Sequence, residues 1–149
     1  MTLLHHAGVC VADMDRSLRF YRDCLGLSVL ADAVLKADLQ DLLGVRTERV
    51  RTVFLGESQS RAAGIVELLD LGLSAIDQGA PQSGLPVRGV CLLSVQVDID
   101  EALRRLDEAD LGQRRRTMAT PGGSAVTVVD PDGVLVELLP RGELAIMGS

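Results

Sequence analysis

The stretch His6-Ala7-Gly8-Val9-Cys10-Val11 lies over Leu92-Leu93-Ser94-Val95-Gln96-Val97 at an offset of 86 residues. Both runs have strand character, and each is followed within two residues by an aspartate, Asp13 or Asp98, that suits the cap of a helix. Once a single residue is deleted, the two helical stretches align as well. Each half then goes on to further β-rich runs, so the order strand, helix, three strands occurs twice. The expected fold is α+β, built from two tandem βαβββ modules. Module one covers residues 1–71, a connector 72–86 and module two 87–149.

In the first half, residues 5–12 read as a strand. Residues 13–25 carry Leu18, Tyr21, Arg22 and Leu25 at helical spacing and stop at Gly26, with Tyr21 packing into the core. Residues 27–30 fit a second strand. Leu35, Leu39, Leu42 and Leu43 predict a short inserted helix over 35–43 that ends at Gly44. Residues 49–56 and 64–69 are β-rich, and the Gly, Pro and Ser of 72–86 mark the connector. In the second half, 87–97 is a strand and Asp98 caps a helix that runs to about 110 and stops at Gly112. Strands follow over 114–118 and 124–129. Asp130-Pro131-Asp132-Gly133 is a turn leading into a strand over 134–139.

Composition narrows the partners. The 149 residues are 47% hydrophobic and 24% charged, ordinary for a globular domain. Such a length buries roughly 68–70% of the surface of the unfolded chain. A net charge of −6 and only three aromatic residues, Phe20, Tyr21 and Phe54, provide poorly for phosphate neutralisation and base stacking, so no nucleic-acid partner is expected. No apolar stretch approaches the ~20 residues of a membrane span, and the N-terminus lacks a basic segment followed by an apolar one. A cytoplasmic protein with no membrane partner is expected. Cys10, Cys24 and Cys91 match neither a zinc cluster nor a disulfide framework and are expected to be reduced and buried.

Two segments carry a specific likeness. Asp13-Met14-Asp15-Arg16-Ser17-Leu18-Arg19-Phe20-Tyr21-Arg22-Asp23 with Leu25-Gly26-Leu27, and Asp130-Pro131-Asp132-Gly133 followed by Val136-Glu137-Leu138, resemble the vicinal oxygen chelate superfamily. That superfamily includes glyoxalases, methylmalonyl-CoA epimerases, extradiol dioxygenases, fosfomycin-resistance enzymes and bleomycin-binding proteins. The resemblance covers nearly the whole chain. It implies paired modules forming a curved mixed sheet around a cavity, often assembled across a homodimer. It also implies a divalent metal with one ligand on the first and one on the last strand of each module. Those positions match His6 and Glu67 in module one, and Leu92 and Glu137 in module two, so one usual ligand is replaced by leucine.

Strand period supplies a separate reading of the same residues, because alternate side chains share a face. His6, Gly8 and Cys10 fall together, as do Leu92, Ser94 and Gln96, leaving a purely apolar face on the other side. The expected metal ligands are therefore His6, Glu67 and Glu137. Glu67 and Glu137 are also the candidate acid/base groups, and Gly8, Cys10, Leu92, Ser94 and Gln96 are the expected cavity lining. His5, on the opposite face by this alternation, is expected to stay outside the site. Gln96 lies about 13 Å beyond Leu92 at ~3.3 Å per residue, too far to replace the missing histidine, and Ser94 is a weak neutral ligand. One imidazole with two carboxylates suits Mn, Mg, Fe, Co, Ni or Zn.

A ring-cleaving dioxygenase needs two histidines and a carboxylate on iron, which this pair of adjacent histidines does not supply. Arg114, Arg115 and Arg116 read as a solvated surface rather than a phosphonate pocket. Two functions follow. The first is a lyase, isomerase or epimerase acting on a small oxygenated substrate through enolate-type chemistry. The alternative is a metal-free small-molecule binding protein of the antibiotic-sequestering kind, which the scarcity of aromatic side chains disfavours.

Overall fold

The computed structural model describes residues 1–73 and 88–148. The expected connector therefore lies outside the described residues except for Gly72 and Leu73. The chain divides into two compact units. One holds Met1–Arg22 and the strands from Leu27 up to the connector; the other holds Asp23–Gly26 and the second half of the chain.

In the first unit, β1 (His6–Cys10) leads to α1 (Met14–Leu18), which continues as a π-helical turn over Arg19–Cys24. Asp13 caps α1 by accepting from the Arg16 N–H at 3.0 Å. β2 (Ser28–Leu35), α2 (Gln40–Leu43), β3 (Val50–Gly56) and β4 (Ile65–Asp70) follow. In the second unit, β5 (Leu93–Gln96) leads to α3 (Ile99–Glu108), capped by Asp98. β6 (Gln113–Thr120), β7 (Gly123–Val129) and β8 (Leu135–Leu139) come after it. Each unit forms a four-stranded mixed sheet, in the orders β1-β4-β3-β2 and β5-β8-β7-β6. The α+β class and the doubled βαβββ order expected from the repeat are both present.

The last strand of each module is central, and its alternation fixes which residues point where. Val66 and Leu68 on β4 are buried, as are Val136 and Leu138 on β8, while Glu67 and Glu137 between them are half-buried on the other face. Full burial of one such leucine contributes roughly 1.5–3 kcal/mol. A slip of one residue would expose the apolar pair and drive the carboxylate into the core, so the register is strongly held. α1 lies against β4, and Leu18, Phe20 and Tyr21 are buried. The start of β8 is set by Asp130, whose buried carboxylate accepts from the N–H groups of Asp132 at 2.9 Å and Val134 at 2.8 Å. Gly133, at φ 89°, completes this Asx turn.

Several elements differ from their expected bounds. β2 runs to Leu35, which pairs with Val50 on β3, so only Gln40–Leu43 of the expected inserted helix is helical. β5 begins at Leu93, so residues 88–92 of the expected strand lie outside it and Leu92 immediately precedes it. α3 ends at Glu108, and the left-handed residue just beyond its cap is Asp110 (φ 52°) rather than Gly112 alone. Of the cysteines only Cys24 is buried; Cys10 is exposed because it shares the open face of β1, and Cys91 precedes β5. Among the described residues no helix is long and apolar enough to cross a membrane.

Candidate active site

On the open face of the first sheet, β1 and β4 run parallel with Gly8 opposite Glu67 and His6 opposite Ile65. His6 Nε2 stands 3.1 Å from Glu67 Oε2. The other carboxylate oxygen, Oε1, accepts a 2.7 Å hydrogen bond from the Thr52 hydroxyl on β3. Oε1 of Glu67 is thus hydrogen-bonded and Oε2 lies beside the imidazole nitrogen. Phe54, directly opposite Glu67 on β3, meets the His6 ring edge to face at 5.6 Å. Gly8 keeps the space above the carboxylate open: a Cβ there would lie 3.9 Å from Glu67 Oε2. The histidine side chain is 39% exposed and the glutamate 14%, so the pair faces outward from a carboxylate held at the sheet.

The second sheet repeats the register with different side chains. Ser94 takes the place of Gly8 opposite Glu137, and Thr127 on β7 the place of Phe54. The Ser94 hydroxyl donates to Glu137 Oε2 at 2.7 Å. The second carboxylate oxygen, Oε1, has no partner among the described residues. Leu92, two residues before Ser94, holds the position that His6 holds before Gly8. Gln96 donates its amide N–H to the carbonyl of Gly142.

The structure therefore brings His6 to Glu67 and Ser94 to Glu137, each within its own module. Among the described residues no three His, Cys, Asp or Glu side chains are placed so that they could hold a metal ion together. A cavity of about 610 Å³ in the second unit is bounded by Val97, Asp98, Asp100, Ser124, Pro140 and Arg141, with none of Gly8, Cys10, Leu92, Ser94 or Gln96 in its wall. One expectation is overturned. His5 is not turned away from His6: its Nδ1 lies 2.9 Å from His6 Nδ1. β1 starts at His6, so strand alternation does not extend back to His5. Thr52 was also missed. Its alternation with Val53 and Leu55 puts it on one face of β3, but only the β3–β4 register shows that this face is Glu67's.

A family model described as the Glyoxalase/Bleomycin resistance protein/Dioxygenase superfamily matches residues 3–138. The chain belongs to this superfamily. Within it, the chain is 30% identical over 159 residues to the lactoylglutathione lyase-like protein terB of Aspergillus terreus, a match covering 98% of this chain and 79% of that protein. It is 30% identical to a probable chloroplastic lactoylglutathione lyase of Arabidopsis thaliana, over 92% of this chain but 35% of the plant protein, so it spans about a third of that relative's length. The glyoxalase I of Leishmania major shares the fold, with a TM-score of 0.62 at 24% identity over 94% of this chain and 87% of that one. The superfamily's own description spans enzymes and resistance proteins, so the choice between them rests on the site.

Proposed function

We propose that the chain is a metal-assisted lyase of the superfamily, acting on a small substrate that carries two neighbouring oxygens. In this reading His6, Glu67 and Glu137 are the ligand set and Glu137 also carries the proton. Support comes from the relatives named as a lactoylglutathione lyase-like protein and a probable lactoylglutathione lyase. The observation that carries the reading is the difference between the two carboxylates: Glu67 Oε1 accepts from Thr52 and Oε2 stands 3.1 Å from an imidazole nitrogen, whereas Oε1 of Glu137 has no partner among the described residues. A carboxylate oxygen set beside an imidazole nitrogen suits a fixed ligand pair. A carboxylate with a free oxygen suits proton transfer.

The donors fit a divalent ion. An imidazole nitrogen and a carboxylate oxygen are common ligands of such ions, and His6 Nε2 and Glu67 Oε2 stand 3.1 Å apart, near enough to hold one ion together. When bound, such an ion supplies Lewis-acid stabilisation to negative charge building on substrate oxygen. The rest falls to the chain. Thr52 keeps Glu67 in one rotamer, and Phe54 limits the swing of the His6 ring. Ser94 holds Oε2 of Glu137 so that Oε1 meets the carbon beside a substrate carbonyl. That C–H bond breaks and its proton passes to Oε1, Oε1 returns a proton to the former carbonyl carbon, and the hydroxyl proton of the first carbon moves to the former carbonyl oxygen, with no oxidant consumed.

The adduct of methylglyoxal with glutathione, assayed with Mn, Mg, Fe(II), Co, Ni or Zn in deuterated water, tests this. Thioester formation with some solvent deuterium in the product is expected. Absence of both product and exchange with every metal, while the adduct binds, would leave a binding protein. Leu92→His is expected to tighten Co, Ni or Zn binding on the order of tenfold or more, because imidazole is a better ligand than water for these ions. Unchanged affinity in a metal competition titration would mean that position 92 does not face the ion.

On the open face of the first module the structure brings together two donors, His6 and Glu67. We propose that the set is completed across a homodimer, with His6 and Glu67 from one chain and Glu137 from its partner.

A further inference from the structure

Three contacts run in series through the two histidines. The Arg61 carbonyl oxygen is 3.2 Å from His5 Nε2, His5 Nδ1 is 2.9 Å from His6 Nδ1, and His6 Nε2 is 3.1 Å from Glu67 Oε2. Each is a bond only if one hydrogen lies within it. The two ends, a carbonyl and a carboxylate, only accept, and a neutral imidazole carries one N–H. With both rings neutral, as ligation through His6 Nε2 requires, three places share two hydrogens.

The arrangements are few. If His6 donates from Nε2 to Glu67, its Nδ1 is bare. His5 must then either leave two bare nitrogens facing each other or turn a bare Nε2 toward the Arg61 carbonyl. If instead His6 donates from Nδ1 to His5, then His5 donates from Nε2 to Arg61 and both upstream contacts are satisfied. The one place left without a hydrogen is between His6 Nε2 and Glu67 Oε2. It is also the only contact with a full negative charge on one side, and it faces outward. A cation seated there, in place of a proton, would meet both the lone pair and the carboxylate.

We propose that His5 is a positioning residue for a divalent cation. It accepts the Nδ1–H of His6, is itself fixed by the Arg61 carbonyl, and so presents the Nε2 lone pair of His6 beside Glu67 Oε2 as a two-atom seat. This rests on the reading of His6 and Glu67 as metal ligands. Outer-shell partners of ligating histidines typically contribute 10–100-fold in metal affinity.

The test uses Zn(II), which is diamagnetic, with ¹⁵N-histidine-labelled chain. The chain has two histidines, so every imidazole signal belongs to His5 or His6. With Zn(II) bound, long-range ¹H–¹⁵N spectra are expected to show His6 protonated at Nδ1 and metal-shifted at Nε2, and His5 protonated at Nε2 only. His5→Ala, at an exposed position ahead of β1, is expected to weaken Zn(II) binding by about tenfold or more. His5→Asn, whose amide oxygen stands where Nδ1 stood, is expected to recover most of that loss. A proton on His5 Nδ1 in the Zn-loaded chain, equal affinity in wild type and His5→Ala, or no recovery in His5→Asn would each overturn the proposal. A wild-type chain that takes up no Zn(II) would overturn the ligand reading itself, an outcome distinct from the other three.

Discussion

Glu137→Gln is expected to lower turnover by about 10²–10⁴-fold, the usual contribution of a positioned acid/base group. The change is nearly isosteric, and the buried neighbours Val136 and Leu138 are untouched, so β8 keeps its register. The Ser94 hydroxyl still finds an amide oxygen to donate to. What is lost is the basicity of the second oxygen, together with one anionic ligand. Assays at saturating metal separate the two effects: kcat should fall while KM changes little. Turnover within a few-fold of wild type under those conditions would remove Glu137 as the proton carrier.

Mixing inactive His6→Ala chains with inactive Glu137→Ala chains is expected to restore activity. In a two-fold symmetric dimer with shared sites, a mixed pair has one site carrying both lesions and one carrying neither. Random exchange makes half of the dimers mixed, so about a quarter of wild-type sites should return. Both the regained turnover and the regained metal can be read after unfolding and refolding the chains together. Mixtures that stay as inactive as either parent would mean that a single chain supplies His6, Glu67 and Glu137 to the same site.

The parts of the fold written into short stretches of sequence were legible there. Val66 and Leu68 around Glu67, and Val136 and Leu138 around Glu137, announce central strands with one outward carboxylate. Asp98 announces a helix start, and Asp130-Pro131-Asp132-Gly133 the turn that launches β8. The repeat placed Leu92 in the position equivalent to His6, and Gly8 opposite Glu67 and Ser94 opposite Glu137 keep that equivalence between the two first strands.

What was not legible depends on residues far apart in the chain. Leu35, Leu39, Leu42 and Leu43 have helical spacing, yet pairing of Leu35 with Val50 extends β2 through the start of that pattern. The turn that follows is organised by Asp38, which accepts from Gln40 and Thr47, and by the Thr47 hydroxyl, which donates to the Ala37 carbonyl. Thr52 reaches Glu67 through a register that no local pattern states. His5 was misplaced by extending a period of two beyond the first residue of the strand that obeys it.

Metal content tests the central claim, that His6, Glu67 and Glu137 together hold a divalent ion. Protein purified without chelator, then offered Mn, Co, Ni or Zn and desalted, is predicted to retain close to one ion per chain, and His6→Ala to retain far less. A wild-type chain that keeps none of these ions would contradict it.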